Sequence, residues 1–193
     1  MSVFEMYLEL GLKHIADFKG FDHILFLISL MAVYQFKHWV KILKLITAFT
    51  IGHSISLALS VLDIVHFSIP VIELLIPITI FITALANIIN RQQLSSKFYK
   101  YEYSVSLIFG LIHGLGFSVL LKSLLGSEAS LVKPLFAFNI GIEIGQIIIV
   151  FGILSIGLIV HHYLRVKHNR WGYFLSGISL ITASFLIYER WIW

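Results

Sequence analysis

The sequence predicts an all-α polytopic membrane bundle of about six transmembrane helices, and three observations carry that expectation. Of 193 residues, 59% are hydrophobic and only 12% charged, with a mean hydropathy of +0.93; a soluble domain carries about a quarter charged residues. The apolar residues fall in runs near the roughly 20 that cross a bilayer. Basic residues gather between alternate runs. A soluble core has no way to hide this much apolar surface, so residues 1–193 read as a single transmembrane domain with the lipid bilayer as its first partner.

The absence of cysteine excludes disulfides, thiolate ligands and cysteine nucleophiles. The net charge of +4 resides in loop lysines and arginines and gives no reason to expect nucleic acid. The N-terminal MSVFEMYLEL lacks a basic n-region and a cleavage site, and does not read as a signal peptide.

Taken in order, segment 3–18 is apolar at Phe4, Leu8, Ile15 and Phe18 and reads as an interfacial helix or as half of a broken first span. Spans follow near 20–36, 40–62, 68–90, 103–125, 131–160 and 173–190. Lys37, Lys41 and Lys44 follow the first span, Arg91, Lys97 and Lys100 the third, and Arg165, Lys167 and Arg170 the fifth. The connection 62–68 has no Lys or Arg, and Glu128 offsets Lys122 and Lys133 in the fourth. The positive-inside rule puts the three basic loops in the cytoplasm and both termini outside. Tyr188, Trp191 and Trp193 fit an interfacial belt.

Within these apolar runs lie Asp22, His23, His53, Glu73, His113 and Glu143. A charged side chain at the centre of a span costs roughly 2.5–3.5 kcal/mol on insertion scales, so such residues are expected to work. At 1.5 Å per residue Glu73 falls ~8 Å below the outer face, and His53 and His113 ~18–20 Å from the inner one. Glu143 falls near the middle, so the six groups can meet at a similar depth beneath the outer surface, the arrangement expected of one site for a divalent metal. His14, nine residues before His23, joins the same helical face only if the helix continues; otherwise His14 and Asp17 are solvated at the interface. Asp22 and His23 also have a plainer reading, a helix-capping carboxylate beside an interfacial imidazole.

FTIGHSISLAL (49–59) and FGLIHGLGFSVL (109–120) each place Phe four residues before His with Gly nearby, the trace of a parallel repeat. Gly110 and Gly114 flank His113, and Gly141 and Gly145 flank Glu143. Small residues at this spacing let helices approach closely, as an imidazole and a carboxylate need to share an ion at ~2.0–2.2 Å. Pro77 frees the carbonyl of Glu73 from its helical partner. Asn139, Glu143 and Gln146 share one face, the amides serving as weak ligands, as supports for the ligands, or as polar glue. Asn87 and Asn90 read as a polar helix end, and His161, His162 and His168 as solvated loop residues.

The run GLKHIADFKGFDHILFL, then FTIGHSISLAL, IELLIPITI, FGLIHGLGF and GIEIGQ, resembles the HupE/UreJ family of small bacterial membrane proteins over residues 11 to about 146. The resemblance implies nickel or cobalt supply to hydrogenase and urease, with His14, Asp22, His23, His53, Glu73, His113 and Glu143 at the family's histidine and acidic positions.

The leading expectation is a divalent-metal permease of the bacterial cytoplasmic membrane. His23, His53 and His113 act as imidazole ligands, and Asp22, Glu73 and Glu143 compensate the charge. Imidazole and carboxylate without thiolate suit nickel, cobalt or zinc. The alternative is an outward-facing metal-dependent intramembrane hydrolase or transferase, which needs three ligands, a bound water and a carboxylate base. A third reading is a metal sensor or assembly partner with a static ion.

Overall fold

The computed structural model describes residues 2–17, 20–90, 96–125 and 131–191, with 90, 96–101, 119 and 125 described in backbone alone. Phe18, Arg91, Glu128 and Trp193 lie outside the described residues, and nothing is said of the side chains of Asn90, Lys97 and Lys100. The elements are α1 (Val3–Ile15), α2 (Asp22–Met31), a 3-10 turn (Phe36–His38), α3 (Trp39–Val61), α4 (Ile69–Asn90), α5 (Ser96–Leu125), α6 (Val132–Tyr163) and α7 (His168–Trp191). No strand occurs among the described residues. Four stretches, 36–61, 69–89, 132–163 and 168–191, are long and apolar enough to cross a membrane. The protein is a membrane protein.

The first span is broken. α1 starts on a capping box: the Ser2 hydroxyl accepts from the Glu5 amide, and the Ser2 amide donates to the Glu5 carboxylate at 2.7 Å. α1 ends at Ile15, ahead of Asp17 and Gly20, both poor helix formers. α2 restarts with Asp22 in its first turn, where a carboxylate meets the positive end of the helix dipole. Thirteen residues in α1 and ten in α2 give about 20 and 15 Å of helix, together one bilayer core of about 30 Å. The first segment is not laid flat on the bundle, because Tyr7, Gly11 and Ile15 are buried against α6.

Register fixes the directions. Gly11 faces Phe138 and Ile142, Gly141 faces Leu8 and Leu12, and Gly145 faces Ile15; the numbers rise together, so α1 and α6 are parallel. α2 continues the same way, with Phe36 against Phe151. Gly52 faces Leu107 and Leu111, while Gly110 faces Phe49 and His53, so α3 and α5 are parallel too. This agrees with their similar sequence motifs. Arg190 reaches Glu73 and Asp22, which sets the end of α7 beside the start of α4. Counting α1 and α2 as one, successive helices among the described residues alternate in direction.

The apolar interior is split into two layers. One, on the side of the termini, gathers Tyr7, Ile15, Leu57, Leu121, Phe138 and Ile142. The other, toward the basic loops, gathers Phe26, Ile42, Leu45, Phe49, Ile76 and Phe109. The outside is apolar as well, with Ile148, Phe151, Leu158, Ile181 and Phe185 exposed, a lipid-facing surface. Helices run past the apolar slab where the sequence is polar: α5 begins at Ser96 and α7 at His168, several residues before the hydropathic spans.

Candidate metal centre

Four imidazoles from four helices meet between the two apolar layers. His14 ends α1, His23 opens α2, and His53 and His113 occupy matching positions on α3 and α5. Ring centres lie 4.7 Å apart for His14 and His23, 5.7 Å for His14 and His53, 6.0 Å for His23 and His53, and 5.0 Å for His23 and His113. His53 is 0%, His113 1% and His23 8% exposed; His14 is half-buried.

None of these rings uses its buried nitrogens in the protein. Both nitrogens of His53 and of His113, and the Nε2 atoms of His14 and His23, are buried with no hydrogen-bond partner. Leaving a buried donor or acceptor unpaired costs about 1–3 kcal/mol each. Six such atoms lie together in this one cluster. With metal–nitrogen bonds of about 2.0–2.1 Å, two imidazoles on one tetrahedral ion place their ring centres about 5 Å apart. The observed spacings bracket that value. Among the described residues no three His, Asp or Glu side chains stand arranged to grip an ion.

Glycine decides how near His53 and His113 come. A Cβ on Gly110 would overlap the Phe49 carbonyl oxygen and stand 3.0 Å from the His53 amide nitrogen, and one on Gly114 would overlap the His53 carbonyl oxygen. α3 and α5 thus touch backbone to backbone at the level of both rings. Aromatic rings pack on both sides of the histidine cluster. Phe117 and Phe138 stack at 5.2 Å, with Phe117 3.9 Å from the His14 ring. On the other side Phe26 stacks on Phe49 at 5.1 Å, and each lies within 5.7 Å of His113.

The carboxylates fall into two groups apart from the rings. Asp22 and Glu73 line a vestibule of about 530 Å³ together with Glu189 and Arg190. Arg190 bridges them, donating to the Asp22 carboxylate at 3.0 Å and to the Glu73 carbonyl at 2.8 Å. That carbonyl is the one Pro77 releases from the α4 ladder. Arg190→Ala is expected to lower stability by about 1–3 kcal/mol, because the Asp22 carboxylate, 14% exposed, and the Glu73 carbonyl both lose their donor. Arg190→Lys recovers part at most, since a lysine lacks the planar guanidinium fork whose two nitrogens serve the two acceptors. Thermal unfolding in detergent reads both, and an unchanged midpoint in Arg190→Ala would show the bridge to be idle.

Glu143 sits on α6, where Thr47 of α3 donates to its Oε1 at 2.7 Å and leaves Oε2 buried and unpartnered. Gln146 accepts from Thr50 at 2.8 Å, and Asn139 donates to Leu135. The Gln146 Nε2 and Asn139 Oδ1 atoms are likewise buried without partners. The face predicted for these three residues therefore carries three more unmet polar atoms.

Other readings change with the structure. Asn87 is no solvated helix end: it is 3% exposed and donates to the Ser29 carbonyl at 2.7 Å. His168 is half-buried, with Nε2 3.3 Å from the Val33 carbonyl, while His161 and His162 are exposed. Ser54, Ser56 and Ser118 each spend the hydroxyl on a carbonyl of their own helix. Sequence reasoning missed Arg190, which reads as an interfacial residue at the chain's end. It also missed Glu102, which stands in the polar KYEYS at the start of a span yet is 8% exposed.

A family model described as HupE / UreJ protein matches residues 1–190, essentially the whole chain. Neither curated proteins nor solved structures give a match.

Proposed function

The chain belongs to the HupE/UreJ family, which is associated with nickel and cobalt transport, and from that premise we propose that it carries a divalent cation across the bacterial cytoplasmic membrane. Nickel, cobalt and zinc are the cargoes that suit imidazole and carboxylate donors. The observation that carries the reading is the chamber of four imidazoles whose buried nitrogens have no partner in the protein.

With the basic loops in the cytoplasm, both termini face outward and the vestibule of Asp22 and Glu73 opens on that side. A cation entering there meets negative charge, then His23, the next residue after Asp22, and then the remaining rings. Glu143 supplies compensating charge from its unpartnered oxygen. The Phe117–Phe138 and Phe26–Phe49 pairs act as the two barriers, and transport requires that they open in turn.

Enclosure favours cargo over hydrolysis. His53 and His113 are at most 1% exposed, and a hydrolase must admit a substrate as well as water to its metal. The three serines nearest the histidines are engaged with their own helices.

Proteoliposomes containing the protein are expected to accumulate nickel, cobalt or zinc. Glu143→Gln keeps an oxygen for Thr47 but removes the charge, and is expected to cut uptake by more than about tenfold with the fold intact. No uptake by the wild type overturns the proposal; equal uptake by the variant removes Glu143 from it.

A further inference from the structure

Beneath the floor of the histidine chamber lies a second polar chamber that the transport reading leaves unused. Glu102 of α5 is 8% exposed and accepts a hydrogen bond from the Tyr34 hydroxyl. It lines a cavity of about 20 Å³ with Phe26, Thr83, Asn87 and Ser106, room for about one water-sized occupant. Thr79, Thr83 and Asn87 recur every four residues, so one face of α4 is polar from the middle of the bundle to its basic end. Thr79 and Thr83 are 3% and 9% exposed. Ser29 of α2, whose carbonyl receives Asn87, is itself fully buried with an unpartnered hydroxyl.

One ring divides the two chambers. Phe26 lies 5.7 Å from the His113 ring and also lines the Glu102 cavity. Burying a carboxyl at the end of a span, as Glu102 is buried, costs free energy unless the group is paired. The neighbours identify its ligand. Tyr34 donates from the turn after α2, and Ser106 of α5 lines the same cavity. Among the described residues lining the cavity, the polar ones from α4 are Thr83 and Asn87, which do not titrate. A lone carboxylate cannot balance a divalent ion, but it can take up and release a single proton through one water.

Resting on the permease reading, we infer that Glu102 is the coupling-proton site of the transporter, loaded from the side of the basic loops and set one aromatic ring away from the cation chamber. No bond other than O–H is made or broken. Phe26 is the element shared by both sites, so its movement links the proton's station to the cation's.

The test uses proteoliposomes preloaded with nickel, comparing wild type with Glu102→Gln, which keeps an acceptor for Tyr34 but cannot titrate. A pH gradient imposed on the wild type is expected to shift nickel accumulation by up to about tenfold per pH unit for one proton per cation. In Glu102→Gln the gradient is expected to have no effect, while downhill nickel exchange continues. Wild-type exchange that ignores the gradient, or a variant as gradient-sensitive as the wild type, overturns this inference and leaves the permease reading standing. Absence of any exchange in the wild type overturns both. If Glu102→Gln does not fold, Tyr34→Phe serves instead. It removes a donor to the ionised carboxylate and is expected to move the pH profile of transport upward; an unmoved profile counts against the proton site.

Discussion

Replacing His53 with leucine is expected to abolish metal binding and, in the same protein, to raise the thermal stability of the metal-free form. The two effects share a cause. His53 is fully buried, and neither ring nitrogen has a partner, so the metal-free fold bears an unpaired polar group that costs about 1–3 kcal/mol. A leucine of similar size fills the space without it. Binding should fall by more than about 100-fold, because losing even an outer partner of a ligand costs about 10–100-fold. Metal content by mass spectrometry and unfolding in the presence of a chelator give the two readings. A histidine kept for the fold alone would behave in the opposite way, with lower stability and unchanged metal. Residues that oppose stability and serve function are where such a trade-off is expected.

The second large effect concerns helix approach. Gly110→Ala is expected to cost about 3 kcal/mol or more, at or above the upper end of ordinary overpacking, and to lose metal binding. The added Cβ meets Phe49 backbone, 2.9 Å from its carbonyl carbon, and a backbone cannot rotate away as a side chain can. α3 and α5 must separate, carrying His53 and His113 with them. Gly177→Ala on α7 is the control. A Cβ there meets nothing within 4 Å, and alanine is the better helix former by about 1 kcal/mol. Expression, unfolding midpoint and metal content should single out the first variant alone. Equal behaviour of the two would mean that the α3–α5 contact does not set the geometry of the chamber.

Much of this molecule is local in the sequence. Apolar runs fix which stretches become helices, because an unpaired backbone is intolerable in hydrocarbon. Proline at position 77 frees one carbonyl whatever the rest of the chain does. Titratable residues inside apolar runs are visible because burying them is expensive, and His23, His53, His113 and Glu143 are legible in the sequence for that reason. The glycines around His113 and Glu143 showed which spans come close, though not to which partners.

Tertiary structure decided what distance in the chain conceals. Periodicity could not tell whether the first segment lies along the surface or packs into the bundle; Gly11 against Gly141 packs α1 along α6, and that contact carries His14 to His23. Nor could depth along a span show which polar residues face one another. Asp22, Glu73 and Glu143 share a level with the histidines by count of residues, yet the helix faces send two to a vestibule beside Arg190 and the third to Thr47. Glu102 and Arg190 escaped notice because residues at the polar ends of spans look alike in sequence, whether they meet solvent or turn inward. The sequence by itself determined the helices, their alternation and the presence of costly polar groups, since each follows from a residue's own transfer energy. Which of those groups meet was decided only by rotation and contact of whole helices, a property that no single segment carries.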